Sequence, residues 1–326
     1  MIKVVKPGLE TTVQDEGRIG YYNIGMPPAG AVDQFAYAVG NMLVGNEAGA
    51  ASLEMTYMGP ELQFQQDGVI TLTGGYIPPK INGVEVPMWK AISVSSGDVL
   101  SFGIVKHGAR SYLAVAGGIS VPPLMGSRST YTLCGIGGYD GRPLKAGDVL
   151  TIGRMRARAV KAGTKVPDKW IPSITKPHEI RIVMGLCSYR LTDESKALFL
   201  QTEWTVTPEA NRVGYRLKGE RLGFVPRDQP FGAGSNPSNV VDLGYPIGSI
   251  QIPDGVEPIA LLNDAVTGGG YATIATIISP DLSRFAQVKT GEKVRFVSIS
   301  YEEARQVRID FKQRLTQINE HLEGAM

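Results

Sequence analysis

Turn-forming residues interrupt this chain so often that long regular elements have little room. Its 40 glycines and 21 prolines are spread along 326 residues. The stretches between them are short, among them VITLTG, AISVSSGDVLSFGIV, SYLAVAGGI, DVLTIG, EIRIVMG, GSIQIP, PIALLND, ATIATIIS and EKVRFVSIS. Each is apolar or alternates apolar with polar residues, and each is bounded by Gly, Pro, Asn or Asp, as strands are. The pattern predicts a mostly β protein of many short strands joined by tight turns. Three units, SSGDVLSFG, KAGDVLTIG and KTGEKVRFV, share a Gly-Asp or Gly-Glu turn that opens an alternating strand. With the paired stretches TLTGGYIPP and NDAVTGGGYATIATIIS, they point to two related β-rich halves.

Helices are few. DQFAYAVGNMLVGN sets Phe35, Ala38, Val39, Met42 and Leu43 at helical spacing, with Asp33 as N-cap and Gly45 as the stop. TDESKALFLQ carries Thr192 as a cap with acids in its first turn. In the last helix Ser300 and Glu303 form a capping box. Behind it Ala304, Val307, Phe311, Leu315, Ile318 and Leu322 make one apolar stripe, a docking face onto the body of the protein or onto a partner. Residues 154–181 are rich in Lys, Arg and Pro and read as the inter-domain connection, placing one domain at 1–165 and the other at 176–326. No aromatic ladder accompanies those charges, which favours a solvated linker over polyanion binding.

The bulk properties exclude several classes. Net charge is +2 and hydrophobic residues make up 43%, so nothing calls for nucleic acid or an anionic membrane. The longest uncharged run, 265–280, is broken by glycines and too short for a membrane span. The N-terminus lacks the long apolar region of a signal peptide, and Cys134 and Cys187 form no CxxC pair. A cytoplasmic location is therefore expected. His107, His178 and His321 are widely separated and show no zinc or triad spacing, so no metal is expected. Any catalysis falls to carboxylates, arginines, hydroxyls and backbone N–H groups.

Four stretches offer such groups. The glycines of NDAVTGGGYA have neither P-loop nor GxGxxG context. They read either as a glycine-rich bend at a barrel corner or as approachable backbone beside Thr267 and Tyr271. In MGSRST, Arg128 with Ser127 and Thr130 can hold a carboxylate or phosphate, or the segment is a polar turn after VPPL. TTVQDEGRIGYYNIGMPPAGAVDQ places Gln14, Asp15, Arg18 and Asp33 in a glycine-rich loop, functional or merely a surface loop with an internal Asp–Arg pair. NRVGYRLKG offers Arg212, Tyr215 and Arg216 as an anion clamp or as a strand with a basic face.

Taken in order, these segments resemble a known family. PGLETTVQDEGRIGYYNIGMPPAGAVDQFAYAVGNMLVGN, LEMTYMGPELQF, TGGYIPPKINGVEV, RSYLAVAGGISVPPLMGSRST and GGYDGRPLKAGDVLTIG look like the biotin-dependent carboxyltransferase-like family. This family, also called allophanate hydrolase subunit 2, includes the C subunit of 5-oxoprolinase and the carboxyltransferase region of urea carboxylase. NRVGYRLKG, GSIQIPDG and NDAVTGGGYATIATIISPDLSRFAQVKTGEKVRF continue the likeness to about Ser300.

The resemblance implies two cyclophilin-like β-barrel domains with a few short helices and a C-terminal helix. It implies an allophanate hydrolase subunit 1-like partner and a hydrolase-like third subunit, together opening 5-oxoproline to glutamate with ATP. ATP has no recognisable motif in this chain and falls to loops or to the partner. The alternatives are carboxyl transfer from carboxybiotin to urea or a related amide, biotin serving only there, and a non-enzymatic regulatory subunit binding the subunit 1-like partner. Carried onto this sequence, Arg128, Ser127 and Thr130 would bind a carboxylate or phosphoryl group, with Arg18, Arg212 and Arg216 also binding substrate. Asp33 or Asp15 would act as base or orient an arginine, and Asp264, Thr267 and Tyr271 would close the pocket from the second domain.

The chain departs from the family's pattern in its second half. The usual Asp-x-Gln-Thr-Thr-Gly-Gly-Tyr-Pro has Val266 in place of the amide, Gly268 in place of a hydroxyl and Ala272 in place of the proline. Gly-Pro-Gln is replaced by MGLCSY and Asp-Arg-Met-Gly by NRVG. A substrate group held by that glutamine would be left unpaired, at about 1–3 kcal/mol.

Overall fold

The structure is a computed structural model and describes residues 1–154, 161–174 and 176–324. The chain divides into two compact units. The first comprises Met1–Ile19, Ala29–Ile174 and Lys312–Met326, and the second Gly20–Pro28 and Thr175–Phe311. The sequence reading keeps Gly20–Pro28 with the first half and the whole last helix with the second.

Both units are built from short strands, as the turn-rich sequence requires. In the first, a six-stranded sheet runs in the order Val149–Leu150, Ile2–Lys6, Glu61–Phe64, Val99–Phe102, Pro79–Ile81 and Val84–Glu85. A five-stranded sheet runs Glu10–Gln14, Ser52–Thr56, His107–Val115, Gly68–Tyr76 and Ile92–Val94. Alternate residues of both sheets, among them Val4, Leu62, Phe64, Leu100, Leu53 and Leu113, meet in one buried cluster. Helix α1, Gln34–Leu43, packs on the second sheet, where Thr73 Oγ1 donates to the Ala36 carbonyl at 2.7 Å. Burial on α1 departs from the expected stripe: Ala36, Tyr37, Gly40 and Asn41 are buried with Phe35, Val39 and Leu43, while Ala38 and Met42 are half-buried.

In the second unit seven strands close into a barrel in the order His178–Met184, Thr273–Ile277, Ser249–Gln251, Ile259–Leu261, Gly214–Lys218, Trp204–Ala210 and Lys293–Ser298. Closure is made by a parallel pairing of Lys293–Ser298 with His178–Met184. Inside, the rings of Phe199 and Phe296 stack at 5.1 Å, and Trp204, fully buried, donates Nε1 to the Phe199 carbonyl. Phe199 comes from helix α2, Asp193–Gln201, whose cap Thr192 accepts from Ser195 N. Helix α3 spans Ser279–Phe285.

Apart from the barrel, Asn239–Gly244 and Gly268–Tyr271 form a two-stranded antiparallel ribbon, with Leu243 opposite Gly269 and Asn239 opposite Tyr271. The bend expected from the three glycines is thus a strand. Their need for glycine is one of space. A Cβ on Gly269 would stand 3.0 Å from the Tyr245 ring, and one on Gly268 would stand 3.2 Å from the Leu243 carbonyl oxygen.

Helix α4, Tyr301–Gly324, opens on the expected capping box: Glu303 N donates to Ser300 Oγ at 3.2 Å and Ser300 N to Glu303 Oε2 at 2.8 Å. Of the expected stripe Ile318 and Leu322 are fully buried, while Ala304, Val307, Phe311 and Leu315 are half-buried. Within the first unit, Arg314 stacks 4.7 Å over the Phe35 ring, and His321 meets Trp170 edge-on at 5.2 Å. The connection read at 154–181 includes 155–160 and 175, which lie outside the described residues. Its described part is not simply solvated. Val166 is buried and donates to the Trp89 carbonyl, and Ala91 donates to that of Thr164.

Candidate functional site

Asp15 follows the strand Glu10–Gln14 and organises the MGSRST segment. Its Oδ1 accepts from Ser127 Oγ at 2.6 Å, Ser129 Oγ at 2.5 Å and Gly17 N at 2.8 Å, and its Oδ2 accepts from Arg128 N. Asp15 N in turn donates to Ser129 Oγ. Arg18, fully buried, donates Nη2 to the Ser129 carbonyl at 2.7 Å, and Thr130 Oγ1 donates to the Val13 carbonyl. Gln14 Nε2 donates to Thr12 Oγ1 and the Thr130 carbonyl. Two glycines seal the arrangement. Gly137 and Gly138 both have positive φ, and a Cβ on Gly137 would lie 2.2 Å from the Ser129 oxygen. Asp15, Arg18, Ser127 and Thr130 are brought together, but as a buried, mutually bonded brace.

Arg128 is the member that turns outward. Its Nε donates to the Val121 carbonyl at 3.1 Å, and the side chain lines a cavity of about 390 Å³ with Glu47, Gly117, Gly118, Ser120 and Arg154. A larger cavity of about 660 Å³ in the same unit is lined by Glu16, Tyr37, Asn41, Glu47 and Glu323 among others. Burial, with the nearby Asp15 and Glu16 charges, raises the Tyr37 phenol pKa far above its ordinary range, so it stays protonated.

Asp33 caps α1, accepting Ala36 N at 2.9 Å. Its own N donates to the Tyr112 hydroxyl, which donates to Glu54 Oε2 at 2.6 Å; Glu54 Oε1 lies 3.7 Å from Arg110 Nε. All four side chains are buried. Burial first, then Glu54, pushes the Tyr112 phenol up, so it serves here as a donor.

In the second unit Asp264 and Arg212 form a two-armed ion pair. Nε reaches Oδ2 at 3.0 Å and Nη2 reaches Oδ1 at 3.0 Å, with the arginine side chain 4% and the aspartate side chain 1% exposed. Arg216 belongs to a more open pairing with Glu209 and Glu257. The Thr267 carbonyl accepts Tyr245 N at 2.8 Å. The Tyr245 hydroxyl accepts Tyr271 N at 2.6 Å and donates to the Tyr271 carbonyl at 2.9 Å, gripping the ribbon by its main chain. Burial raises the Tyr245 phenol pKa, which keeps that donor in place. Of the altered positions Val266 is 56% exposed, whereas Ala272 is buried; the retained Tyr271 is 42% exposed.

The sequence reading missed Tyr245, Glu47 and Arg154. GYPIG carries no signal that its tyrosine grips a strand; Glu47 stands in the glycine-rich NEAGA turn, and Arg154 falls in the stretch read as linker. The histidines stand apart from both clusters. His178 is bonded to Glu292 at 3.0 Å, and His107 begins a strand.

Comparison with known proteins sets this geometry in a family. The model of the carboxyltransferase domain, subdomain A and B, matches residues 24–298. The chain is 36% identical over 318 residues to the C subunit of 5-oxoprolinase from Escherichia coli, covering 98% of this chain and 97% of that one. It is equally 36% identical over 314 residues to urea amidolyase of Saccharomyces cerevisiae, but there 94% of this chain spans only 17% of the longer protein. A crystal structure of Kluyveromyces lactis urea carboxylase superposes with a TM-score of 0.91 at 33% identity, covering 97% of this chain and 29% of that one. With the family model spanning most of its length and a relative matched almost end to end, the chain belongs to the carboxyltransferase domain family, subdomains A and B.

Proposed function

We propose that the protein is the C subunit of an ATP-dependent 5-oxoprolinase, a hydrolase subunit that ring-opens 5-oxoproline to glutamate with its partners. The observation that carries this reading is the end-to-end correspondence with the C subunit of the Escherichia coli 5-oxoprolinase. A subunit name implies companions, and the subunit 1-like and hydrolase-like proteins inferred from family resemblance are the proposed ones. ATP belongs to the assembled complex and the complex to the cytoplasm. No described helix is long and apolar enough to cross a membrane.

In this reading Arg212 and Asp264 hold each other in one orientation, and the Gly268–Tyr271 ribbon presents Thr267 and Tyr271 beside them to a small amide. Asp15 and Asp33 act at a distance from substrate: one fixes the segment that carries Arg128, the other caps α1. With Val266 and Gly268 lacking polar side chains, the segment offers backbone amides and the hydroxyls of Thr267 and Tyr271.

The test is to co-purify the three subunits and measure 5-oxoproline-dependent ADP release, with urea as control substrate. Release with 5-oxoproline supports the reading; none from the complete set refutes it. A second reading, carboxyl transfer to urea or a related amide, is favoured by the TM-score of 0.91 to urea carboxylase. Consumption of carboxybiotin dependent on urea, rather than on 5-oxoproline, would select it.

A further inference from the structure

Arg128 is anchored at three points yet keeps the far end of its side chain open. Its N is bound by Asp15 Oδ2, its neighbours Ser127 and Ser129 are tied to Asp15 Oδ1, and its Nε is bound by the Val121 carbonyl. Its two Nη groups make no hydrogen bond or ion pair with any described residue, and the side chain lines the cavity of about 390 Å³. A guanidinium fixed at Nε with a free Nη pair is preorganised to bind a planar oxyanion in two-armed fashion. The volume falls in the range of small-molecule sites.

The cavity wall supports the same use. Gly117 and Gly153 interlock so tightly that a Cβ on either would lie 2.4 Å or 2.3 Å from the other's carbonyl oxygen. Asn46 clamps the wall, accepting Gly117 N at 2.8 Å and donating to the Val115 carbonyl at 2.9 Å. The wall is therefore rigid backbone, and among the described residues the charged side chains of the lining are Arg128, Arg154 and Glu47. Arg154 is exposed and, like Arg128, makes no ion pair with a described residue. Arg128 and Arg154 place two cations in the lining, and the flat fork of Arg128 matches the planar oxygens of a carboxylate.

We infer that this cavity is a binding site for the carboxylate of a small ligand, with Arg128 as its two-armed holder and Arg154 as a second cation. Ser127 and Thr130, which the sequence placed on the ligand, support Arg128 from behind instead. Identifying the carboxylate as that of 5-oxoproline rests on the 5-oxoprolinase reading; the carboxylate site itself does not.

Calorimetric titration of the isolated full chain tests it, without partners or ATP, using 5-oxoproline, acetate and inorganic phosphate as probes. The expected result is saturable binding of at least one carboxylate. Arg128→Gln should weaken carboxylate binding by about ten- to a hundredfold, and the exposed Arg154→Gln by about threefold. Acetate binding without 5-oxoproline binding keeps the carboxylate site and removes the 5-oxoproline identification. The inference is overturned by carboxylate affinity that ignores Arg128→Gln, by phosphate binding more tightly than either carboxylate, or by no saturable carboxylate binding. Should Arg128→Gln fail to fold by circular dichroism, unchanged affinity in Arg154→Gln overturns it alone. Loss of ADP release in the assembled complex with binding intact would count against the 5-oxoprolinase reading and not against this site.

Discussion

The ion pair between Arg212 and Asp264 should be one of the costliest contacts in the second unit to cut. Both side chains are almost wholly buried, at 4% and 1% exposure, and they meet through two contacts of 3.0 Å each. Asp264→Ala removes the carboxylate and leaves a guanidinium in the interior facing the space it occupied. Breaking one side of such a buried pair costs about 3–5 kcal/mol, because the remaining charge stays desolvated. Counting the contacts as two charge-assisted hydrogen bonds at about 1.5–3 kcal/mol each leads to the same range. For a unit of roughly 150 residues this lowers the melting midpoint by about 6–20 °C. Differential scanning calorimetry reads it in the transition of the second unit. The same physics makes a second demand: Arg212→Met combined with Asp264→Leu removes both charges and should be more stable than Asp264→Ala alone. A loss below about 1 kcal/mol in Asp264→Ala, or a double variant no better than the single, would falsify the claim that desolvated charge dominates here.

Three further outcomes follow from particular contacts. Gly269→Ala should displace the Tyr245 ring, which would stand 3.0 Å from the new methyl, destabilising the second unit by about 1–3 kcal/mol in urea unfolding. Asp148 is held by Arg142 through contacts of 2.8 Å and 2.9 Å and by Lys145 N. The Arg142 hydrogen bonds lead in lowering its pKa below the ordinary 3.8, so its contribution is full above that value and lost as pH falls through the lower folded value. Urea midpoints taken on descending from pH 6 should fall less steeply in Asp148→Asn than in the parent chain. Leu322→Ala, at a fully buried position of α4, should cost about 2–5 kcal/mol in the unfolding of the first unit, whereas Ser300→Ala should cost about 1 kcal/mol through the lost cap.

What was legible in the sequence was what neighbouring residues decide among themselves. The caps at Asp33, Thr192 and Ser300 and the stripe of α4 were visible because each depends on residues within one or two turns of helix, or on a repeat of such turns. The mostly β class followed from turn spacing for the same reason. The three glycines were harder. Nothing within 263–279 says that Asn239–Gly244 will pair with them, or that Tyr245 will lie where a methyl on Gly269 would go. Glycine at such a place reports a neighbour's bulk, and a neighbour distant in sequence leaves no local trace.

The MGSRST cluster shows the same limit in chemical terms. Its composition gathers candidate anion-binding groups in one place, yet composition does not say which of them face inward. That is decided by Asp15, 112 residues before Ser127, whose carboxylate takes the two serine hydroxyls and the Arg128 amide. With those donors committed, the only flexible cation left in the segment is Arg128, and its Nε is already bound to Val121. In the proposed site the acid and the hydroxyls that looked like reacting groups serve as a scaffold, and the binding chemistry of the segment concentrates on one guanidinium. By the same logic a residue the sequence had assigned to a linker, Arg154, joins that guanidinium at the cavity. A site of this kind is specified by which polar groups are already satisfied, and that is a property of the packed chain.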